Sequence, residues 1–129
     1  MRGMKTVIRP PSYLADVRSS GMSEDEHAAI VTSIAGDPDQ GVVMAETGGA
    51  RKVRFGGRGK GKSGGYRVIF YPAPDDVPVL MLAVIDKGER ENLSRAERNE
   101  LRKELAGYVD DYRASVKTKV ARMKKEKSR

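Results

Sequence analysis

Two apolar runs near the middle of the chain restrict its fold more than any other feature. Residues 66–71 (Tyr-Arg-Val-Ile-Phe-Tyr) and 79–85 (Val-Leu-Met-Leu-Ala-Val-Ile) are dense in β-branched and aromatic side chains and read as strands. Only residues 72–78 separate them, and Pro72, Pro74 and Pro78 fall in that stretch. A parallel pair needs a crossover of about a dozen residues or more, so these two strands should pair antiparallel across a proline-rich turn. Asp75 and Asp76 suit that turn as turn formers. The run 79–85 has no polar residue, as expected of a central strand buried on both faces. Residues 51–55 alternate instead: Val53 and Phe55 face one way, Lys52 and Arg54 the other. That is a half-buried strand whose second face is basic.

Helix signals flank this meander. Residues 4–9 read as a short strand stopped by Pro10 and Pro11, and Pro11 or Ser12 opens a short helix carrying Tyr13, Leu14 and Val17. Gly21 ends it. Ser23 and Glu26 form a capping box for a second helix, with Ala29, Ile30, Val31 and Ile34 as its buried stripe and Gly36, Asp37 and Pro38 as its stop. Thr47, Gly48 and Gly49 make a turn before residue 51. Ser94 and Glu97 form another capping box, opening a long helix with Leu101, Leu105, Val109, Tyr112 and Val116 along one side. Gly107 weakens that helix by about 1 kcal/mol relative to alanine. The order is β-α-α-β-β-β-α, with the short apolar run 42–45 a candidate fourth strand of the meander. It predicts an α+β domain: a small antiparallel sheet with helices clustered on one face. Residues 1–113 form the domain, and 114–129 a basic C-terminal tail, helical or disordered, that projects or frays.

Composition sets the outer limits. A chain of 129 residues has material for one modest core, mostly aliphatic because Trp is absent and Phe and Tyr are few. With no cysteine there is no disulfide framework and no thiolate chemistry. No apolar run reaches membrane-spanning length and the N-terminus lacks a signal-peptide core, so a cytoplasmic protein is expected. The formal charge is +7, but its distribution matters more. Residues 51–67 hold Arg51, Lys52, Arg54, Arg58, Lys60, Lys62 and Arg67 without an acid. The C-terminal stretch 117–129 is also strongly basic, so the rest of the chain is net acidic. Positive charge gathered in two segments points to a polyanion partner. For the tail, a solvated face is the simpler explanation; for 51–67 it is not, because the charges interleave with strand and glycine signals.

Residues 56–63 (Gly-Gly-Arg-Gly-Lys-Gly-Lys-Ser) match the nucleotide-binding pattern G-x-x-x-x-G-K-[ST] letter for letter. The context is wrong. That loop must open a helix whose N-terminus receives phosphate, whereas here Gly64, Gly65 and a strand follow. The same glycines serve better as a loop whose basic side chains meet a phosphate backbone. His27 is the single histidine and sits in a polar stretch of helix, where a solvated role is expected. A histidine-pair ribonuclease and a Cys/His zinc site are therefore excluded. Basic chemistry remains. RNA cleavage needs the 2′-OH deprotonated, charge on the phosphorane stabilised and a proton given to the leaving 5′-oxygen. Crowded cations lower a lysine's pKa toward neutrality, and arginine clamps phosphate oxygens through paired N–H donors. No metal or cofactor is required.

The stretches Thr47-Gly-Gly-Ala-Arg-Lys-Val-Arg54, Gly59-Lys-Gly-Lys-Ser-Gly-Gly-Tyr-Arg-Val-Ile-Phe-Tyr71, Asp86-Lys87-Gly-Glu89 and Leu93-Ser94 together resemble the RelE/HigB toxins of bacterial type II toxin–antitoxin systems. The resemblance runs from about Met4 to about Leu105. It implies a microbial-ribonuclease-like α+β fold and ribosome-dependent cleavage of messenger RNA. It also implies neutralisation by a cognate antitoxin, often a helix-turn-helix protein. Carried over by position, Lys60 and Lys62 are the candidate proton-handling or phosphate-contacting lysines, Arg67 the transition-state stabiliser and Lys87 a second phosphate or leaving-group contact. Arg51, Lys52, Arg54 and Arg58 are candidate RNA contacts. Residues 85 and 86 are Ile and Asp where many relatives carry an aromatic, leaving Tyr66 or Tyr71 as stacking candidates, although Tyr71 equally suits core packing. Two other functions fit the same charges: a gyrase-inhibiting toxin of the ParE kind, and a non-catalytic nucleic-acid-binding module.

Overall fold

The computed structural model describes residues 3–56, 65–85 and 93–127. Eight elements follow in chain order: β1 (Val7–Ile8), α1 (Pro11–Ser20), α2 (Glu24–Gly36), β2 (Val42–Val43), β3 (Arg51–Phe55), β4 (Tyr66–Tyr71), β5 (Val79–Ile85) and α3 (Arg95–Lys127). The fold is α+β. Its sheet has the order β1-β5-β4-β3-β2 among the described residues.

The local signals act as their chemistry dictates. Pro11 opens α1, and Gly21 ends it at φ 74°, a left-handed conformation that glycine adopts without a Cβ penalty. In α2 the Ser23 hydroxyl accepts from the Glu26 N–H at 3.1 Å while the Glu26 carboxylate accepts from the Ser23 N–H at 3.0 Å. Ser94 and Glu97 repeat the arrangement ahead of α3. The proline-rich turn is held from outside: the Lys5 ammonium donates to the carbonyls of Pro72, Ala73 and Pro74.

Two features depart from the sequence reading, while the apolar run 42–45 supplies its candidate fourth strand as the exposed pair Val42–Val43. The sheet is mixed, because β1 pairs parallel with β5. The long path from β1 through two helices and three strands removes the short-connection constraint that makes β4 and β5 antiparallel. Helices also cover both faces rather than one. On the first face, Tyr13, Val17, Met22, Ile30 and Ile34 of the α1–α2 layer pack against Tyr66, Val68, Phe70, Val79, Met81 and Val84. On the second, Leu105 and Leu101 of α3 pack over Ile69, Tyr71, Leu80, Leu82 and Ala83. The cause lies in β4 and β5, whose alternate positions are apolar on both sides, so neither face can be left to water. In α2, Ala29 is exposed and Val31 only half-buried, while Ala35 joins Ile30 and Ile34 in the interior.

A β-bulge falls where Ile69 pairs with Ala83 but Phe70 with Met81, leaving Leu82 as the extra residue of β5. Beyond the end of β1, the Asp16 carboxylate accepts from the Val84 N–H at 3.1 Å, so α1 satisfies a strand donor that β1 is too short to reach. Helix α3 is tied to the β4–β5 turn by the Tyr108 hydroxyl, which donates to the Pro78 carbonyl at 2.6 Å, and by a two-point Arg113–Asp76 pair at 2.8 and 2.9 Å. The Arg113 guanidinium holds the Asp76 carboxyl below the usual range. From Ala114 to Lys127 every residue is exposed while the helix continues. None of the described helices is long and apolar enough to cross a membrane.

His27 is half-buried rather than solvated. Its Nε2 lies 3.0 Å from the hydroxyl of Tyr13, which is fully buried. Burial, aided by the Arg9 charge, pushes the His27 pKa down, and burial pushes the Tyr13 hydroxyl up to about 12. The folded protein thus favours neutral His27, and below the ordinary histidine value the unfolded chain binds the extra proton. Stability should be intact above that value and decline as pH falls through it toward the lowered folded value. Urea melts between about pH 7.5 and about pH 5.5 should show this slope, and His27→Gln should flatten it.

Candidate nucleic-acid interface

The site follows from strand parity. Across β3 and β4, Arg54 pairs with Arg67, Lys52 with Ile69 and Val53 with Val68. Side chains directly opposite share a face, so Lys52, Arg54 and Arg67 stand on the α3 side of the sheet, beyond the part that Leu101 and Leu105 cover. Val53, Phe55, Tyr66 and Val68 point the other way, into the α1–α2 core. Lys52, Arg54 and Arg67 line a concavity of about 260 Å³ together with Gly41, Val42 and Val53. Lys52 and Arg54 make no hydrogen bond or ion pair with other described side chains. Two guanidinium groups directly across a strand pair repel. An anion placed between them would meet donors from both sides.

The wall of the concavity needs a glycine. Gly41 has φ 82°, and a Cβ there would collide with the Lys52 carbonyl. The chain therefore crosses β3 at backbone contact. The turn ahead of β3 is closed by Thr47, which is fully buried: its hydroxyl donates to the Met44 carbonyl at 2.7 Å and accepts from the Ala50 N–H at 3.0 Å. Glu46, Gly48 and Gly49 take positive φ around it. Thr47 thus sets where Arg51 begins the strand. Thr47→Val keeps the shape but strands a buried donor, and should lower stability by about 1–3 kcal/mol in urea denaturation.

The expected residues divide into three groups. Lys52, Arg54 and Arg67 come together as described. Arg51 and Tyr66 do not. Arg51 has the opposite parity, and its guanidinium donates to the carbonyls of Asp39 at 2.8 Å and Gly41 at 3.3 Å. It buttresses the loop behind the concavity instead of facing it. Tyr66 is 4% exposed in the α1–α2 core, with its hydroxyl 3.4 Å from the Glu26 carboxylate. Tyr71 is on the α3 face but packs edge-on against Tyr108, with ring centroids 6.3 Å apart. Neither tyrosine is placed to stack a base at the concavity. Arg58, Lys60, Lys62 and Lys87 lie outside the described residues. The described ends nevertheless reach the same end of the sheet: Gly56 and Gly65 flank the Phe55–Tyr66 pair, and Ile85 lies opposite Arg67.

Gly41 and Val42 are site residues that the charge pattern did not single out. The signal available was the turn-forming run Asp37-Pro38-Asp39-Gln40-Gly41 just before an apolar pair. Where a nucleotide loop would open a helix, the next described element is instead β4, which begins at Tyr66 and returns antiparallel to β3. No protein-family model matches the chain.

Proposed function

We propose that this protein is the toxin component of a type II toxin–antitoxin system of the RelE/HigB type, a ribosome-dependent messenger RNA endoribonuclease. The observation that carries the proposal is the convergence of Lys52, Arg54 and Arg67 on one concavity at the end of the sheet where the segment bearing Lys60 and Lys62 begins and ends and the segment bearing Lys87 begins. A concave cationic face suits a phosphodiester backbone, and its arginines suit the charge that builds on phosphorus during 2′-OH attack. In this scheme Arg67 stabilises the phosphorane. Lys52 and Arg54 hold adjacent phosphates, Lys60 or Lys62 handles the proton, and Lys87 meets the leaving side. Arg58 is a further RNA contact. The chemistry is metal-independent, and the message must be held in attack geometry by the ribosome. A cognate antitoxin would neutralise the protein in the cytoplasm.

Adding the purified protein to translating ribosomes and mapping message ends tests this. New ends at the ribosomal A site are expected. Intact message with inhibited gyrase supercoiling would replace the proposal with a ParE-like toxin. Intact message with RNA bound would replace it with a binding module.

A further inference from the structure

Helix α3 borders two open surfaces among the described residues. Its first half walls a groove of about 450 Å³ whose floor is Ile69, Leu80, Leu82, Ala83 and Leu93, with Pro10 and Ser12 on the far side. The near rim is acidic: Glu97, Glu100 and Glu104, with Leu101 beside them. Its second half, exposed throughout, projects about 20 Å at 1.5 Å per residue. That half carries Val116, Val120 and Met123, which are 41, 44 and 54% exposed.

At 3.6 residues per turn, Val116, Val120 and Met123 continue the stripe that Leu105 and Val109 bury. The projecting half therefore turns toward a sheet face the side that its first half already lays on its own sheet. The same count places Lys119 and Arg122 on the flank of the helix that bears Glu97, Glu100 and Glu104. One flank of a single helix is thus acidic at its start and basic near its end, with an apolar stripe below.

We propose that two copies of this chain form a two-fold dimer in which the α3 helices run antiparallel side by side, each projecting end lying in the groove of the other copy. A two-fold axis makes each such contact occur twice. It sets Arg122 across from Glu100, and Lys119 close to Glu104, while Val116, Val120 and Met123 cover the apolar floor. Asp111 falls at the axis against its own copy, and Glu126 falls near Glu97, so both are like-charge contacts that the apolar and opposite-charge contacts must outweigh. The groove lies on the β5 side of the sheet and the basic concavity on the β2–β3 side, so the dimer is independent of the functional proposal.

Sedimentation velocity and light scattering of the full chain test it. Wild type should show twice the 14.2 kDa of one chain. Val120→Asp should weaken the dimer by at least about tenfold, roughly the cost of leaving one buried apolar side chain unpaired. Its circular dichroism should be unchanged, because residue 120 is exposed and belongs to neither core cluster. Glu100→Arg and Arg122→Glu should each dissociate alone, yet an equimolar mixture of the two should recover the dimer, since the mixed pair restores opposite charges at both contacts. Asp111→Asn should tighten it. A wild type that stays at 14.2 kDa up to about 100 μM, a concentration at which even micromolar affinity would register, overturns the proposal. So does a dimer indifferent to Val120→Asp, or a mixture that fails to recover. A monomer whose affinity for an RNA oligonucleotide falls in Arg122→Glu but not in Val120→Asp also overturns it, assigning the projecting end to nucleic acid.

Discussion

Arg67→Ala is expected to cut message cleavage on translating ribosomes by about 100- to 1,000-fold, the loss typical of removing one donor aimed at transition-state charge. The reason is position. Arg67 sits on the middle strand of the sheet, with Arg54 across from it on one side and Ile85 on the other. A guanidinium fixed there offers paired N–H donors that an ammonium on a flexible stem cannot reproduce, so Arg67→Lys should recover only part of the activity. Binding should respond differently. Loss of one phosphate contact weakens RNA affinity modestly and reduces its salt slope by about one unit. Single-turnover cleavage measured beside filter binding separates the two effects. A variant that loses binding and cleavage in equal proportion would demote Arg67 to an electrostatic contact.

Phe70→Ala is the largest expected loss of stability, about 3–5 kcal/mol. Phe70 is fully buried on the same strand, between its partners Arg51 on β3 and Met81 on β5, and belongs to the cluster joining Tyr13 and Ile34 to the sheet. Removing the ring forfeits its transfer energy and leaves a void that β4, hydrogen-bonded on both edges, cannot collapse to fill. Domains of this size are stable by about 5–15 kcal/mol, so the variant should melt roughly 10–20 °C lower or fail to fold at 37 °C. Differential scanning calorimetry reads the shift. Phe70→Leu, which keeps most of the volume, should cost well under half as much. Near-equal melting of wild type and Phe70→Ala would mean that this layer is not the core.

Much of the architecture was legible in residues 51–85 and in the two capping boxes. Alternation gave β3 its faces, the proline-rich connection gave β4 and β5 their direction, and Gly21 marked the end of α1. The misplaced residues share one cause. Arg51 and Tyr66 were grouped by charge and ring with their neighbours, although period-two parity already sets Arg51 with Val53 and Tyr66 with Val68. Apolar residues on both sides of β4 and β5 likewise carried the information that helices would cover both faces. Other features had no local signature. A two-residue strand such as Val7–Ile8 is too short to declare a parallel partner seventy positions away. His27 looks solvent-facing until α1 brings the Tyr13 hydroxyl beneath it. The seating of Arg51 on two carbonyls depends on the loop at 39–41 returning across β3, which only the folded chain reveals.

The abreast placement of Arg54 and Arg67 has a thermodynamic consequence. Side chains facing across a strand pair present two guanidinium groups to the same volume of solvent, so one anion can reach donors from both. Under the proposed function, a polyanion held more tightly by the folded patch than by the unfolded chain would stabilise the native state, by at most about 2.7 kcal/mol at a hundredfold excess over its dissociation constant. The occupied protein should therefore outlast the empty one under heat and protease, making occupancy of this patch a determinant of how long each molecule survives.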